Sequence, residues 1–127
     1  MKTTLDIVTI LYTKIKGSAL EAAISGGLYK YQRPTDSTVE DIVVNVITTD
    51  AEMIQRGSFN VNIHVPKAPD GMPNSARLSA LSSIAAPLLI EGYGEKYNFW
   101  IESQSIFQDE DNWYTNFRIR VNYHNTF

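Results

Sequence analysis

The residues able to do acid–base or metal chemistry are few and scattered. The histidines are His64 and His124. Strand alternation puts His64 on an outward face and His124 near the chain end, so they read as two exposed, solvated side chains and not as a catalytic pair. Ser82 and Ser83 fall on a predicted helix with no His or Asp at a triad-like spacing, so neither reads as a nucleophile. Asp109-Glu110-Asp111-Asn112 has the oxygen donors of a calcium loop but not their alternation, and Trp113 and Tyr114 follow where such a loop needs a glycine. It reads as the charged tip of a hairpin. Gly92-Tyr93-Gly94 follows a helix and precedes a strand, the reverse of a phosphate-cradling loop, with no Lys-Ser or Lys-Thr after it. Trp100, Tyr114 and Arg120 fall on one face of a predicted ribbon and could stack nucleobases, yet Glu102 beside them and the overall acidity fit a protein interface better. The expectation is a protein with no catalytic residue, no cofactor and no metal.

Bulk properties agree with a single domain spanning 1–127. A chain of 127 residues with 43% hydrophobic and 20% charged residues can bury roughly two thirds of its unfolded surface in one core. The net charge of -3 argues against a main task of gripping phosphate backbones, which needs a concentrated basic surface. Lys14, Lys16, Lys30 and Arg33 are the only basic drift and read as a solvated face. The absence of cysteine removes disulfides, thiolate metal sites and thiol nucleophiles together. No run of eighteen or more apolar residues and no signal-peptide pattern is present, so the expectation is a soluble, unsecreted chain without membrane contact.

The elements that would position any site follow from periodicity. Thr3 with Asp6 predicts a helix start, followed by Leu5, Ile7, Val8, Ile10, Leu11, Tyr12 and Ile15, an apolar arc wider than one core-facing stripe. Leu5, Ile7 and Ile10 are therefore candidate subunit-interface residues, together with Trp100, Tyr114 and Arg120. Ser18 and Glu21 form a capping box for a short helix through Ile24, with Gly26-Gly27 expected to end it in the left-handed conformation. Leu28 to Gln32 is extended. Asp41 to Thr49 reads as a strand covered on both faces, and Ser58 to Val65 as one that points Phe59, Val61, Ile63 and Val65 inward and Asn60, Asn62 and His64 outward. Asp50 to Gly57 and Pro66 to Pro73 read as polar loops. Asn74 or Ser75 should cap a helix that buries Leu78, Leu81, Ile84, Ala85 and Leu88, and Pro87 should kink or end it.

The last third predicts a long hairpin whose register follows from chemistry. Closing it with a loop of Gln108 to Asn112 puts Phe107 opposite Trp113, Ile101 opposite Ile119, Phe99 opposite Val121 and Tyr97 opposite Tyr123 on the apolar face. Glu102 then faces Arg118, and Trp100 faces Arg120. The predicted class is α+β: an antiparallel sheet of about five strands with two main helices packed on it, in the order helix, short helix, three strands, helix, two strands.

Gly26-Gly27-Leu28-Tyr29 entering a short strand, Arg33-Pro34 at its exit, Asp41-Ile42-Val43-Val44-Asn45, and Arg56-Gly57 before Asn60-Val61-Asn62-Ile63-His64-Val65 carry a resemblance. With the helix and the terminal strand pair that follow, the chain resembles the tail-completion or tail-terminator proteins of tailed bacteriophages. That resemblance implies a virion structural protein assembled in the host cytoplasm, not an enzyme. It also implies a hexameric homo-oligomeric ring that contacts tail-tube and connector proteins and meets DNA only as passing cargo. A ring of this kind would contact its neighbours through the first helix and the two polar loops. Asp109, Glu110 and Asp111 are candidate lumen or rim charges, since a strongly basic lumen would hold the DNA. A monomeric or dimeric protein-binding module or inhibitor is the alternative class.

Overall fold

The computed structural model describes residues 4–49 and 54–124. Its elements in chain order are α1 (Thr4–Ile15), α2 (Ala19–Ala23), β1 (Leu28–Lys30), β2 (Asp41–Thr49), β3 (Ile54–Pro66), α3 (Ser75–Leu89), β4 (Glu91–Tyr93), β5 (Tyr97–Asp109) and β6 (Asn112–His124). The strands form one six-stranded sheet in the order β1-β2-β3-β6-β5-β4. The fold is α+β, but the sheet is mixed and not purely antiparallel, because β1 runs parallel to β2 while every other pair is antiparallel. The extra strand is β4, whose Gly92 lies opposite Phe99. A Cβ on Gly92 would meet the Phe99 ring at 2.2 Å, so glycine lets the ring lie against the backbone.

One face of the sheet is covered by helices. Ile42 and Val44 of β2, Phe59, Val61, Ile63 and Val65 of β3, Phe99 of β5, and Phe117, Ile119 and Val121 of β6 form one core with α1 and α3. Each fully buried large side chain here contributes about 1.5–3 kcal/mol. Helix α1 supplies Ile7, Val8, Leu11 and Ile15 as a single stripe, with Ile10 and Tyr12 half-buried on its flanks. The wide arc read from sequence is thus mostly used by the chain's own core, and Ile7, 1% exposed, is not available to a neighbour. Leu5 lies in α1, but its side chain falls outside the described residues, as do Thr3 and residues 50–53.

Helix boundaries follow their local chemistry. Gly17 takes φ +76° between α1 and α2, the left-handed turn that ends a helix and that glycine adopts without strain. Ser18 caps α2 by accepting from the Glu21 N–H, while the Glu21 carboxylate reaches back to the Gly17 N–H at 2.9 Å. Gly26 and Gly27 do not turn left-handed; α2 ends with Ile24 extended. Asn74 caps α3 by accepting from the Arg77 N–H at 3.2 Å. Pro87 does not end the helix at the preceding residue. It sits in the last turn, and α3 continues to the fully buried Leu89. Ile84 faces outward, at 36% exposure.

Two strand expectations need correction. Strand β3 is longer than expected, so Ile54 to Gly57 belong to the strand and not to the preceding loop. In the β5–β6 hairpin the inner pairs stand as expected: Tyr97 with Tyr123, Phe99 with Val121, Trp100 with Arg120 and Ile101 with Ile119. A bulge between Ile101 and Ser103 then slips the register, so Ser103 faces Arg118, Phe107 faces Tyr114 and Gln108 faces Trp113. The expected Glu102–Arg118 and Phe107–Trp113 pairs do not form. The cause is the turn: Asp109 pairs with Asn112, leaving only Glu110 and Asp111 in between, with Glu110 at φ +48°. A two-residue hairpin turn suits the strand twist better than a five-residue loop, and the bulge absorbs the residue released.

Candidate functional site

The face of the sheet opposite the helices carries the residues with unusual environments. At its β1–β2 corner Asp41 is buried, with a side chain 1% exposed. One carboxylate oxygen accepts from the Gly27 N–H at 3.0 Å. The other accepts from Arg33 Nε at 2.9 Å and from the Ser37 hydroxyl, and it lies 2.8 Å from Arg33 Nη2. Arg33 Nη2 also donates to the Val39 carbonyl at 2.8 Å. A Cβ on Gly26 would stand 2.1 Å from Asp41 Oδ1, so Gly26 is required by this close approach. The cluster folds residues 31–40 over the corner. Arg33 is therefore an internal anchor and not part of a solvated basic face.

The neighbouring Glu40 ties the same corner to the helix layer. Its carboxylate accepts from Arg77 Nε and Nη2 and from the Ser25 N–H at 3.2 Å, and Arg77 Nη2 also donates to the Ala23 carbonyl. The Arg77 guanidinium holds the Glu40 carboxyl below its ordinary range, and the same bond raises Arg77. Paired ionic anchors of this kind hold geometry and offer no free group for chemistry.

His64 is not the exposed side chain that alternation suggested. It points to the open face, but it is 7% exposed beneath that corner, 4.8 Å from the Tyr114 ring. Its Nδ1 lies 2.7 Å from Asn112 Oδ1, an acceptor that requires the proton on Nδ1. Burial lowers its pKa below the usual histidine value, which favours the neutral ring. His124, by contrast, is exposed, and the two histidines lie near opposite ends of β3.

The middle of this face is a ladder of amides. Asn60 donates to Asn45 at 2.8 Å, and Asn116 donates to Asn60 at 2.9 Å and to Asn62 at 2.7 Å, which links β2, β3 and β6 by side chains alone. Beyond the amides the face turns basic. Arg120 lies between Ser58 and Trp100 on the ladder and donates to the Ser58 hydroxyl at 2.9 Å. Arg118, exposed, lies between Asn60 and Ser103, and Arg56 occupies the same face opposite Asn122. Sequence alone placed Trp100, Tyr114 and Arg120 on this face, and the structure puts them there. Arg118 shares that face as the pattern expects, though opposite Ser103 and not Glu102, and Arg56 joins it because β3 begins at Ile54.

The second unusual region is the outer half of the hairpin. Strand β4 pairs only with Asn98 to Trp100, so from Ser103 to Asp109 strand β5 is the sheet edge and every residue is exposed. Ile106 and Phe107 are 51% and 47% exposed. Asp109, Glu110 and Asp111 are solvated at the tip, and Asp111 approaches Lys67 at 3.5 Å. Between that tip and residues 33–38 lies a cleft of about 630 Å³. The loop 67–74 is fixed from beneath by Trp113, whose Nε1–H donates to the Gly71 carbonyl at 3.2 Å. Ile10 lines a shallower groove with Tyr97.

Among the described residues no group of three or more His, Cys, Asp or Glu could hold a metal ion, and no helix is long and apolar enough to cross a membrane. No protein-family model and no curated protein matches this chain. The geometry therefore carries the functional reading.

Proposed function

We propose that this protein is a structural subunit of a tailed-bacteriophage neck. It assembles as a homo-oligomeric ring that terminates the tail tube or joins it to the head connector, and it performs no catalysis. The observation that carries the reading is the outer half of β5, an uncovered strand edge with half-exposed Ile106 and Phe107. A soluble monomer normally guards such an edge with lysine, proline or a cap, whereas Ser103 to Gln108 contains no charge and no proline. A subunit covered by its neighbours has no need of that protection.

Ring closure requires heterologous contacts, in which two different surfaces of each copy meet. The bare ribbon and the arginine-bearing face are two such surfaces. DNA crossing a ring would adhere to unneutralised arginines through counterion release, so that face turns from the lumen or is neutralised by a neighbour.

The cleft between residues 33–38 and the hairpin tip supports one rival reading, a monomeric binding module or inhibitor that uses its loops. Co-expression with the neighbouring tail proteins, followed by particle imaging, separates the two. A discrete ring at the tail end is the expected result. A lone monomer that retains a small molecule or a host protein would replace this reading with the rival.

A further inference from the structure

We infer that the acidic hairpin tip of one copy docks on the arginine-bearing open face of the next. The inference rests on the ring reading and adds which surfaces meet. Charge complementarity selects the partner surface. Asp109 and Glu110 stand exposed at the end of a ribbon that carries exposed Ile106 and Phe107, and Arg118 and Arg120 stand on the open face beside Trp100, which is 37% exposed. Carboxylates with an apolar flank on one side meet guanidiniums with an aromatic flank on the other, where Glu91, opposite Trp100, is an exposed carboxylate on the arginine-bearing face. The bare stretch Ser103–Asp109, at roughly 3.3 Å per residue, reaches about 20 Å beyond its own covered half. Within one copy the contact cannot form, because Arg118 faces Ser103 on the same ribbon and the tip lies several ladder pairs further along. The contact comes from another chain, and since the surfaces differ it is head-to-tail, the kind of contact that closes into a ring where the rotation between copies allows.

The absence of cysteine makes the test direct. Glu110→Cys and Arg118→Cys are introduced together and singly, and each protein is oxidised and run without reductant. The double variant should give a ladder of covalent oligomers that ends at the closed ring, whereas each single variant should stay uncross-linked. Equal cross-linking of a single variant, or no ladder from the double variant, overturns the inference.

Charge reversal checks it without cysteines. Asp109→Lys with Glu110→Lys on one protein, and Arg118→Glu with Arg120→Glu on another, should each abolish oligomers in sedimentation velocity. An equimolar mixture should restore them, because alternating copies pair lysine tips with glutamate faces and acidic tips with arginine faces. A mixture that stays monomeric contradicts the docking. Circular dichroism melts confirm that each variant folds. Oligomers that persist without a ladder would defeat this contact and leave the ring reading standing. A ladder from a protein that forms no ring on tails would do the reverse.

Discussion

The inner and outer halves of the β5–β6 hairpin share a strand pair but not a fate. From Tyr97 to Ile101 strand β5 lies between β4 and β6, and Phe99 is 2% exposed beneath α3. From Ser103 onward it has β6 on one side and, among the described residues, no strand on the other. The bulge at Ile101/Ser103 divides the halves. Alternation is out of step across it, so Gln104 and Ile106, not Ser103 and Ser105, share the side of Phe117. A strand can thus be core for half its length and interface for the rest, with one unpaired residue marking the change.

The largest effect should come from placing a charge in the inner half. Ile119→Asp buries an unpaired carboxylate at a fully buried site and should abolish cooperative thermal unfolding. A soluble variant with a sharp melt would show that this half is not core. Next, Phe99→Ala should cost about 3–5 kcal/mol in denaturant unfolding, the usual range for deleting a core aromatic.

Gln104→Lys, in the outer half, removes the 2.7 Å bond to the buried Thr115 hydroxyl and should cost about 1 kcal/mol. Without the bulge Gln104 would lie opposite Asn116 on the open face, away from Thr115, so a neutral result would favour the unbulged register.

A smaller effect should appear with pH. Burial depresses the His64 pKa in the folded state below 6.5. Between the two values the unfolded chain takes up a proton that the folded chain refuses. Stability present above about 6.5 is therefore lost as pH falls through that window. His64→Gln should flatten this part of the melting-temperature profile, and an unchanged slope would place the acid response elsewhere. The smallest effect should be Phe107→Ala, within about 0.5 kcal/mol for the isolated chain, the counterpart of Phe99→Ala across the bulge.

Much of the fold was legible because it depended on alternation. Phe59 to Val65 and the inner hairpin pairs follow from period-two patterning, and Ser18 and Asn74 announce their helices. What was hidden depended on contacts between distant residues. Nothing local reveals that Asp41 would gather Gly27 and Arg33, and so lay β1 parallel to β2. Gly26-Gly27 signalled a special backbone, but what Gly26 supplies is room for the Asp41 carboxylate and not a left-handed turn. The bulge was invisible because a wide loop and a tight turn with a bulge leave the inner pairs identical. The open face was half legible: Trp100 and Arg120 were paired correctly, while His64, outward by alternation, is buried against Tyr114 and Asn112 at the turn end of β6.

Amide hydrogen exchange across the hairpin, on dilute protein and on assembled particles, tests the central claim most directly. The account predicts that peptides covering Phe99 to Ile101 are protected in both states. In peptides covering Gln104 to Asp109 the amides on the open edge, not bonded to β6, should exchange fast in the dilute chain and become protected on assembly. An outer half as protected as the inner half in the dilute chain, or one that still exchanges fast in the particles, would contradict it.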